Sequence, residues 1–404
     1  MLSFMKKKKK EKKGGSNGKK QEPSSSEDEA LPNTATNNNS KVPAAGEEDD
    51  AEWEEGTIYS SNPDKKKVTK DDFELLAVIG KGSFGKVLLV QKKDDKKLFA
   101  MKVLRKDVVI KRKQVLHTQA EKTILGKVNH PFIVKLHYAF QTKGKLYMIL
   151  DFINGGELFS HLKRESRFSE SRVKLYVAEI TLALAHLHSM DIVYRDLKTE
   201  NILLDAQGHV VITDFGLSKE IDPATGTKTF CGTPEYLAPE LLQGKPHGVA
   251  VDWWSLGTLM YEMLTGLPPW YSQNTNIMYK KILTDELRFP SYISAEARSL
   301  LEGFLTRDPA KRLGSATKDA SDIKAHPFFA DIDWDKLYRK EIQPEFKPNV
   351  KGEACISEID SVFTMEPAVD SVVTESQLRE TVDSEHAHFD NFTYEKESTM
   401  QNGH

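Results

Sequence analysis

The stretch Phe73-Glu74-Leu75-Leu76-Ala77-Val78-Ile79-Gly80-Lys81-Gly82-Ser83-Phe84-Gly85-Lys86-Val87-Leu88-Leu89-Val90 decides the fold. Its centre, Gly80 to Val87, spells G-x-G-x-x-G-x-V, and glycines let backbone N–H groups approach phosphate oxygens with no side chain between. The flanks say which kind of glycine loop this is. A dinucleotide-binding loop runs from a strand into a helix. Here Val87 to Val90 is again apolar and β-rich, so the loop joins two strands. On this stretch alone, an ordinary glycine-rich hairpin stays open.

Outward from the hairpin, Leu98 to Leu104 adds a third strand after the turn at 92–97, and Ile133 to Phe140 and Leu146 to Phe152 add two more. Between them, apolar residues from about Lys113 to Lys127 recur at helical spacing. A small five-stranded antiparallel lobe with one main helix is expected. Beyond Gly155 helical periodicity dominates: Leu158 to Leu162, Glu170 to Met190, Val251 to Thr265, Asn276 to Leu283 and Ala295 to Leu305. The fold class is α+β, a small β lobe followed by a larger, mainly α lobe. After about Asp331 the periodicity fades while aromatics persist at Trp334, Phe346, Phe363, Phe389, Phe392 and Tyr394, as in a tail that wraps a folded body.

Residues 1–70 carry few aliphatic side chains. Lysines come first, at Lys6 to Lys10, Lys12, Lys13, Lys19 and Lys20, then acids through Glu55; blocks of like charge solvate rather than fold, so a disordered tail is expected. Three segments result: a charged tail at 1–70, a catalytic-type body at 73–329 and an extension at 330–404. Over the 404 residues, 57 Lys and Arg against 60 Asp and Glu leave a formal charge of −3, which excludes a generic nucleic-acid coat. The 2 cysteines build no disulfide framework, and no apolar run is long enough to span a bilayer. A reducing, intracellular setting is expected.

An ordered set of motifs follows the glycine loop. Ala100-Met101-Lys102-Val103 puts a lysine on the strand after the hairpin, where an ammonium can meet phosphate oxygens, and Glu121 follows on the first helix as an ion-pair partner. Tyr194-Arg195-Asp196-Leu197-Lys198-Thr199-Glu200-Asn201 comes next, then Asp214-Phe215-Gly216 and Ala238-Pro239-Glu240. With these motifs, over about residues 73–329, the chain resembles the eukaryotic protein kinases.

That resemblance implies a bilobal kinase fold and phosphoryl transfer from ATP with Mg²⁺. It implies that Asp196 accepts or orients the substrate hydroxyl proton and that Asn201 and Asp214 supply hard oxygen ligands to Mg²⁺. Lys198 would neutralise the transferring phosphoryl group, and Lys102, held by Glu121, would fix the other phosphates. Ile79, Gly80, Gly82, Ser83, Phe84 and Gly85 would cover the nucleotide. Adenine would lie between Val87, Ala100 and Leu203, its edge read by backbone groups of Asp151 and Ile153, with Leu150 as gatekeeper. A pseudokinase normally lacks one of Lys102, Asp196 or Asp214, and all three are present; a dehydrogenase reading rests on the glycine loop alone.

Tyr194, where many kinases have His, and Thr229-Phe230-Cys231-Gly232-Thr233-Pro234-Glu235 are similar to the AGC kinases. By that likeness Thr229 is an activation-loop phosphosite whose phosphate collects Arg195 and His117, and Thr233 lies near Asp196 and Lys198. Phe389-Asp390-Asn391-Phe392-Thr393-Tyr394 resembles the AGC hydrophobic motif, and Asp370-Ser371 sits at the turn motif, making Ser371 and Thr393 further phosphosites. Phe389 and Phe392 would fill an apolar pocket beside the helix of Glu121. Glu240 and Arg312 are expected to pair inside the large lobe. Leu264 to Tyr271, Met278 to Leu283 and Asp370 to Val373 are similar to the serum/glucocorticoid-regulated kinases, with the ribosomal-protein kinases nearby. Protein kinase B is disfavoured, because residues 1–70 are too few for a folded lipid-binding domain. Two positions depart from the pattern: Thr199 stands for the usual Pro, and Ile359 for a frequent Phe over the nucleotide.

Glu157, Glu200 and Glu262 match acidic positions that face arginines upstream of the target, so substrates with Arg about three residues before the Ser or Thr are expected. The resemblance suggests a phosphoinositide-dependent kinase upstream of Thr229 and a TOR complex upstream of Thr393. A cytoplasmic monomer is expected. The lysine-rich head reads as a weak anionic-membrane contact, a nuclear-import patch or a solubilising tail.

Overall fold

The computed structural model describes residues 68–82, 84–222, 225–315, 319–377, 389 and 391–396. The expected disordered segment, as far as residue 67, and Ser83 of the glycine loop lie outside the described residues.

Strands β1 (Phe73–Lys81), β2 (Gly85–Lys92), β3 (Leu98–Arg105), β4 (Leu136–Gln141) and β5 (Lys145–Asp151) form one antiparallel sheet in the order β1-β2-β3-β5-β4. Side chains alternate between its faces. Phe99, Met101 and Val103 of β3 join Val78, Leu88, Val90 and Ile149 in an outer cluster, so Ala100, Lys102 and Leu104 face the other way, into the cleft. Before the main helix, α1 (Lys106–Lys111) forms separately from α2 (Val115–Lys127). The sequence pattern, which starts the helix at about Lys113, gives no sign of α1; Lys113, at φ 55°, separates the two.

The larger lobe comprises α3 (Leu158–Glu165), α4 (Glu170–His188), β6 (Ile192–Val193), β7 (Ile202–Leu204), β8 (Val210–Ile212), β9 (Lys219–Glu220), α5 (Pro239–Leu242), α6 (Ala250–Thr265), α7 (Thr275–Thr284), α8 (Ala295–Phe304) and α9 (Ala320–Lys324). Helix α4 starts where the Ser169 side chain accepts from Arg172 N. Helices α4 and α6 are apolar on nearly all sides and lie in the centre, with Trp253 and Trp254 fully buried. The expected Glu240–Arg312 pair is buried and bidentate, at 2.7 and 2.8 Å. Among the described residues no helix is long and apolar enough to cross a membrane.

From α10 (Trp334–Tyr338) the chain wraps both lobes. Phe346 lies 3.8 Å from the Arg172 guanidinium, and Asn154 Nδ2 donates to Glu353 O at 3.1 Å where the tail crosses the link between lobes. Past α11 (Ser361–Thr364), Phe363 packs on the outer face of the sheet, and the Asp370 carboxylate accepts from Lys145 Nζ at 2.7 Å and Tyr147 Oη at 3.0 Å. The five-stranded sheet gains a short sixth strand, β10 (Tyr394–Glu395), beside β4. The tail thus supplies backbone partners to an edge that would otherwise be open.

Candidate active site

The segment 194–201 is pinned from beneath. Asp252 of α6 is fully buried, and its two oxygens accept from Tyr194 N and Arg195 N, each at 2.8 Å. His188 Nε2 lies 2.9 Å from the same carboxylate. Burial alone would discharge His188, yet its bonds to Asp252 and Asp319 outweigh that and push it up to about 9. Arg195, at φ 66°, adopts a left-handed conformation rare outside glycine, which this anchoring sustains.

Held this way, Asp196 becomes the hub. Its Oδ2 accepts from Lys198 Nζ at 2.6 Å and Asn201 Nδ2 at 2.9 Å, and its Oδ1 from Thr233 Oγ1 at 3.2 Å. Lys198 Nζ also reaches Thr233 Oγ1 at 3.2 Å. Burial pushes the Asp196 carboxyl up, opposed by the positive charge of Lys198.

Across the cleft, Lys102 Nζ sits 2.6 Å from Glu121 Oε1 and 3.4 Å from Asp214 Oδ1. Burial disfavours the Lys102 ammonium, but Asp214 and Glu121 more than compensate and hold it above the usual lysine range. Lys102 in turn holds Asp214 below the usual carboxylate range. The Asp214 side chain is 53% exposed and stays ionised.

The glycine loop closes on itself, Gly82 N donating to Gly85 O at 2.9 Å. A Cβ at Gly85 would lie 1.7 Å from Val103 O, so only glycine fits there. Ile79 precedes the loop on β1, Gly80 is buried in the same strand, and Arg105 N donates to Phe84 O at 3.0 Å. Val87 pairs in register with Lys102, and Ala100 with Leu150, which places all four on the cleft face of the sheet. Leu203 of β7 bridges Glu157 from the lower lobe. Asp151 ends β5, its side chain accepting from Lys135 N and meeting His137 Nε2 at 2.7 Å; Ile153 follows, half-buried.

The three expected acids form one cluster. Burial pushes Glu157 up, with repulsion from Glu200 adding to it. Burial likewise pushes Glu262 up to about 7, against a hydrogen bond from Tyr236 Oη and with further repulsion from Glu200 and Glu235.

Thr229 is exposed and its Oγ1 lies 3.3 Å from Thr227 Oγ1. Nearby, Arg195 Nε donates to Leu217 O, while Arg195 Nη1 is buried without a hydrogen-bond partner. Burial, Arg195 and Lys219 together push His117 down. Lys219, which donates to Thr227 Oγ1 at 3.2 Å, belongs to this cationic group and was not visible as such in the sequence. Asp252 was missed too; the available signal was a carboxylate standing inside the apolar run of α6.

Phe389 and Phe392 are buried at 0% and 1% exposure in the core cluster that includes Ile124 and Leu125 of α2. Gln141 Nε2 fixes Phe389 O at 3.0 Å, Lys122 Nζ fixes Asn391 O at 2.7 Å, and Tyr394 Oη donates to Gly126 O. Thr393 is half-buried between these anchors, and Ser371 is half-buried beside Asp370.

A two-lobed body with a strand-borne lysine paired to a helix glutamate, a buried aspartate hub and a second, exposed aspartate at the same cleft is the arrangement of a phosphotransferase. The protein kinase domain model matches residues 73–329, and the chain belongs to this family, within its AGC group of Ser/Thr kinases. Over 347 residues it is 64% identical to "Protein kinase 2" of Dictyostelium discoideum, covering 86% of this chain and 71% of that protein. Over 315 residues it is 55% identical to the Ser/Thr-protein kinase Sgk1 of Danio rerio, covering 78% and 72%. Over 334 residues it is 54% identical to the Ser/Thr-protein kinase gad8 of Schizosaccharomyces pombe, covering 82% and 58%. The chain is a protein Ser/Thr kinase, and the family's chemistry uses ATP and Mg²⁺.

Proposed function

We propose that this kinase phosphorylates Ser and Thr in proteins carrying arginine upstream of the acceptor, with Asp196 as the proton acceptor and Lys102 as the phosphate anchor. The observation that carries this reading is the Asp196 hub, where Lys198, Asn201 and Thr233 meet one buried carboxylate. A hydroxyl acceptor entering beside Thr233 meets a raised carboxylate ready for its proton and an ammonium ready for developing phosphoryl charge. Lys102, locked by Glu121, fixes the remaining phosphates while the glycine loop supplies N–H donors.

The residues fit Mg²⁺, which binds through one or two carboxylate or amide oxygens plus phosphates rather than in an all-protein cage. Asp214 is ionised and exposed, Asn201 is fixed on Asp196, and among the described residues no cluster of three or more metal-ligating side chains exists. When bound, Mg²⁺ neutralises charge on the phosphate oxygens.

Glu157, Glu200 and Glu262 read the arginines through bidentate pairing. Phosphate on Thr229 finds Arg195 Nη1, the one cation in its group with a buried unsatisfied donor, and so orders the loop. Phosphates on Ser371 and Thr393 fasten the tail, placed there by upstream kinases of the phosphoinositide-dependent and TOR-complex kinds, in the cytoplasm. The test is Mg²⁺-dependent transfer of labelled phosphate to an arginine-bearing peptide. Asp214→Ala should lose transfer while melting near the parent temperature; retained transfer would refute the assignment.

A further inference from the structure

Thr199 occupies a position where the resemblance leads one to expect proline, and the structure gives its hydroxyl a specific partner. Only 1% exposed, Thr199 donates from Oγ1 to Glu200 Oε2 at 3.2 Å. Tyr236 Oη donates to Glu262 Oε2. Of these two acids, Glu200 is the one the Thr199 hydroxyl holds. Proline has no hydroxyl and could not make this connection.

The two carboxylates repel one another. Left to themselves, half-buried acids of like charge turn apart or take up protons. An arginine fork needs the opposite: acceptor oxygens fixed in place to meet its planar donors. We propose that Thr199 is a specificity-positioning residue, its hydroxyl orienting Glu200 so that this carboxylate faces a substrate arginine beside Glu262. The proposal rests on the reading of Glu200 and Glu262 as arginine acceptors. Thr199 acts on specificity through Glu200, not on the reacting atoms.

The experiment uses the full chain and peptides in which a single arginine is stepped along the residues before the acceptor serine, with an arginine-free peptide as reference. The readout is the ratio of kcat/KM with and without the arginine at its best position. Glu200→Gln and Glu262→Gln calibrate it: if neither lowers the ratio, the arginine-acceptor reading fails, whatever Thr199 does. If they lower it, Thr199→Val, which keeps the volume and removes the hydroxyl, should cut the ratio about fivefold, as expected for one hydrogen bond to a charged group. The change should fall mainly in peptide KM. Thr199→Ser should restore the ratio to within about twofold, because it keeps the donor. A Thr199→Val ratio equal to the parent's, or a Thr199→Ser ratio as low as that of Thr199→Val, overturns the proposal. Should Thr199→Val melt early, Thr199→Ala provides the second hydroxyl-free variant, judged by the same ratio.

Discussion

The two walls of the cleft are built on different principles. The lower wall, Asp196 with Lys198, Asn201 and Thr233, comes from one loop and its near neighbours, and its backbone hangs on the fully buried Asp252. The upper wall, Lys102 with Glu121, joins a strand to a separate helix, and that helix is held from behind by Phe389 and Phe392, which lie more than 200 residues further along the chain. A carboxylate wired into the core keeps its geometry as long as the lobe is folded. An ion pair across two elements keeps its geometry only while both elements stay docked. On the proposed reading, the upper wall is the part open to regulation, with the tail as its handle.

The largest expected effect tests the lower wall. On the proposed reading, Asp196→Asn removes the proton acceptor but keeps the shape, so kcat should fall about 10³-fold with little change in melting temperature. Turnover measured beside calorimetry checks this, and a modest loss of rate would mean the hub is structural. Next comes the upper wall. Phe389→Ala with Phe392→Ala should loosen α2, cutting kcat about tenfold and destabilising the protein by about 3 kcal/mol or more, since each buried phenyl lost leaves a cavity. Hydrogen exchange should rise along α2 and leave residues 194–201 protected; exchange rising equally in both would erase the contrast between the walls.

The smallest effect concerns pH. Glu262, pushed up to about 7 by burial and by the neighbouring Glu200 and Glu235, is neutral below that value and charged above it. A protonated acid pairs poorly with arginine. Selectivity for arginine-bearing peptides should thus decline as pH is lowered through 7, by about twofold to fivefold, and the decline should vanish in Glu262→Gln. A selectivity independent of pH between 6 and 8 would place the charge elsewhere in the cluster.

Much of this was legible in the chain of amino acids. The glycine loop between strands, Lys102 at an alternate position of β3, and the order of Asp196, Asn201 and Asp214 follow from local rules: glycine at close approaches, period-two alternation in a strand, fixed spacing within a short loop. Other features left only faint marks. Asp252 stands in an apolar helix with nothing nearby in sequence to say which N–H groups it accepts. Lys219 looks like any surface lysine until the fold sets it beside Arg195 and His117. The break between α1 and α2 at Lys113 comes from one left-handed residue in a run of good helix formers.

The sequence by itself determined the family, the two-lobed body and the chemical identity of the cleft residues, because each depends on residue types at short, fixed separations. Only the tertiary structure decided that Thr199 holds Glu200, that Lys219 joins Arg195 and His117, and that the tail completes the sheet beside β4. Those depend on contacts between residues far apart in the chain. Such contacts are set by packing and hydrogen-bond satisfaction after the chain has folded, and no local pattern encodes them.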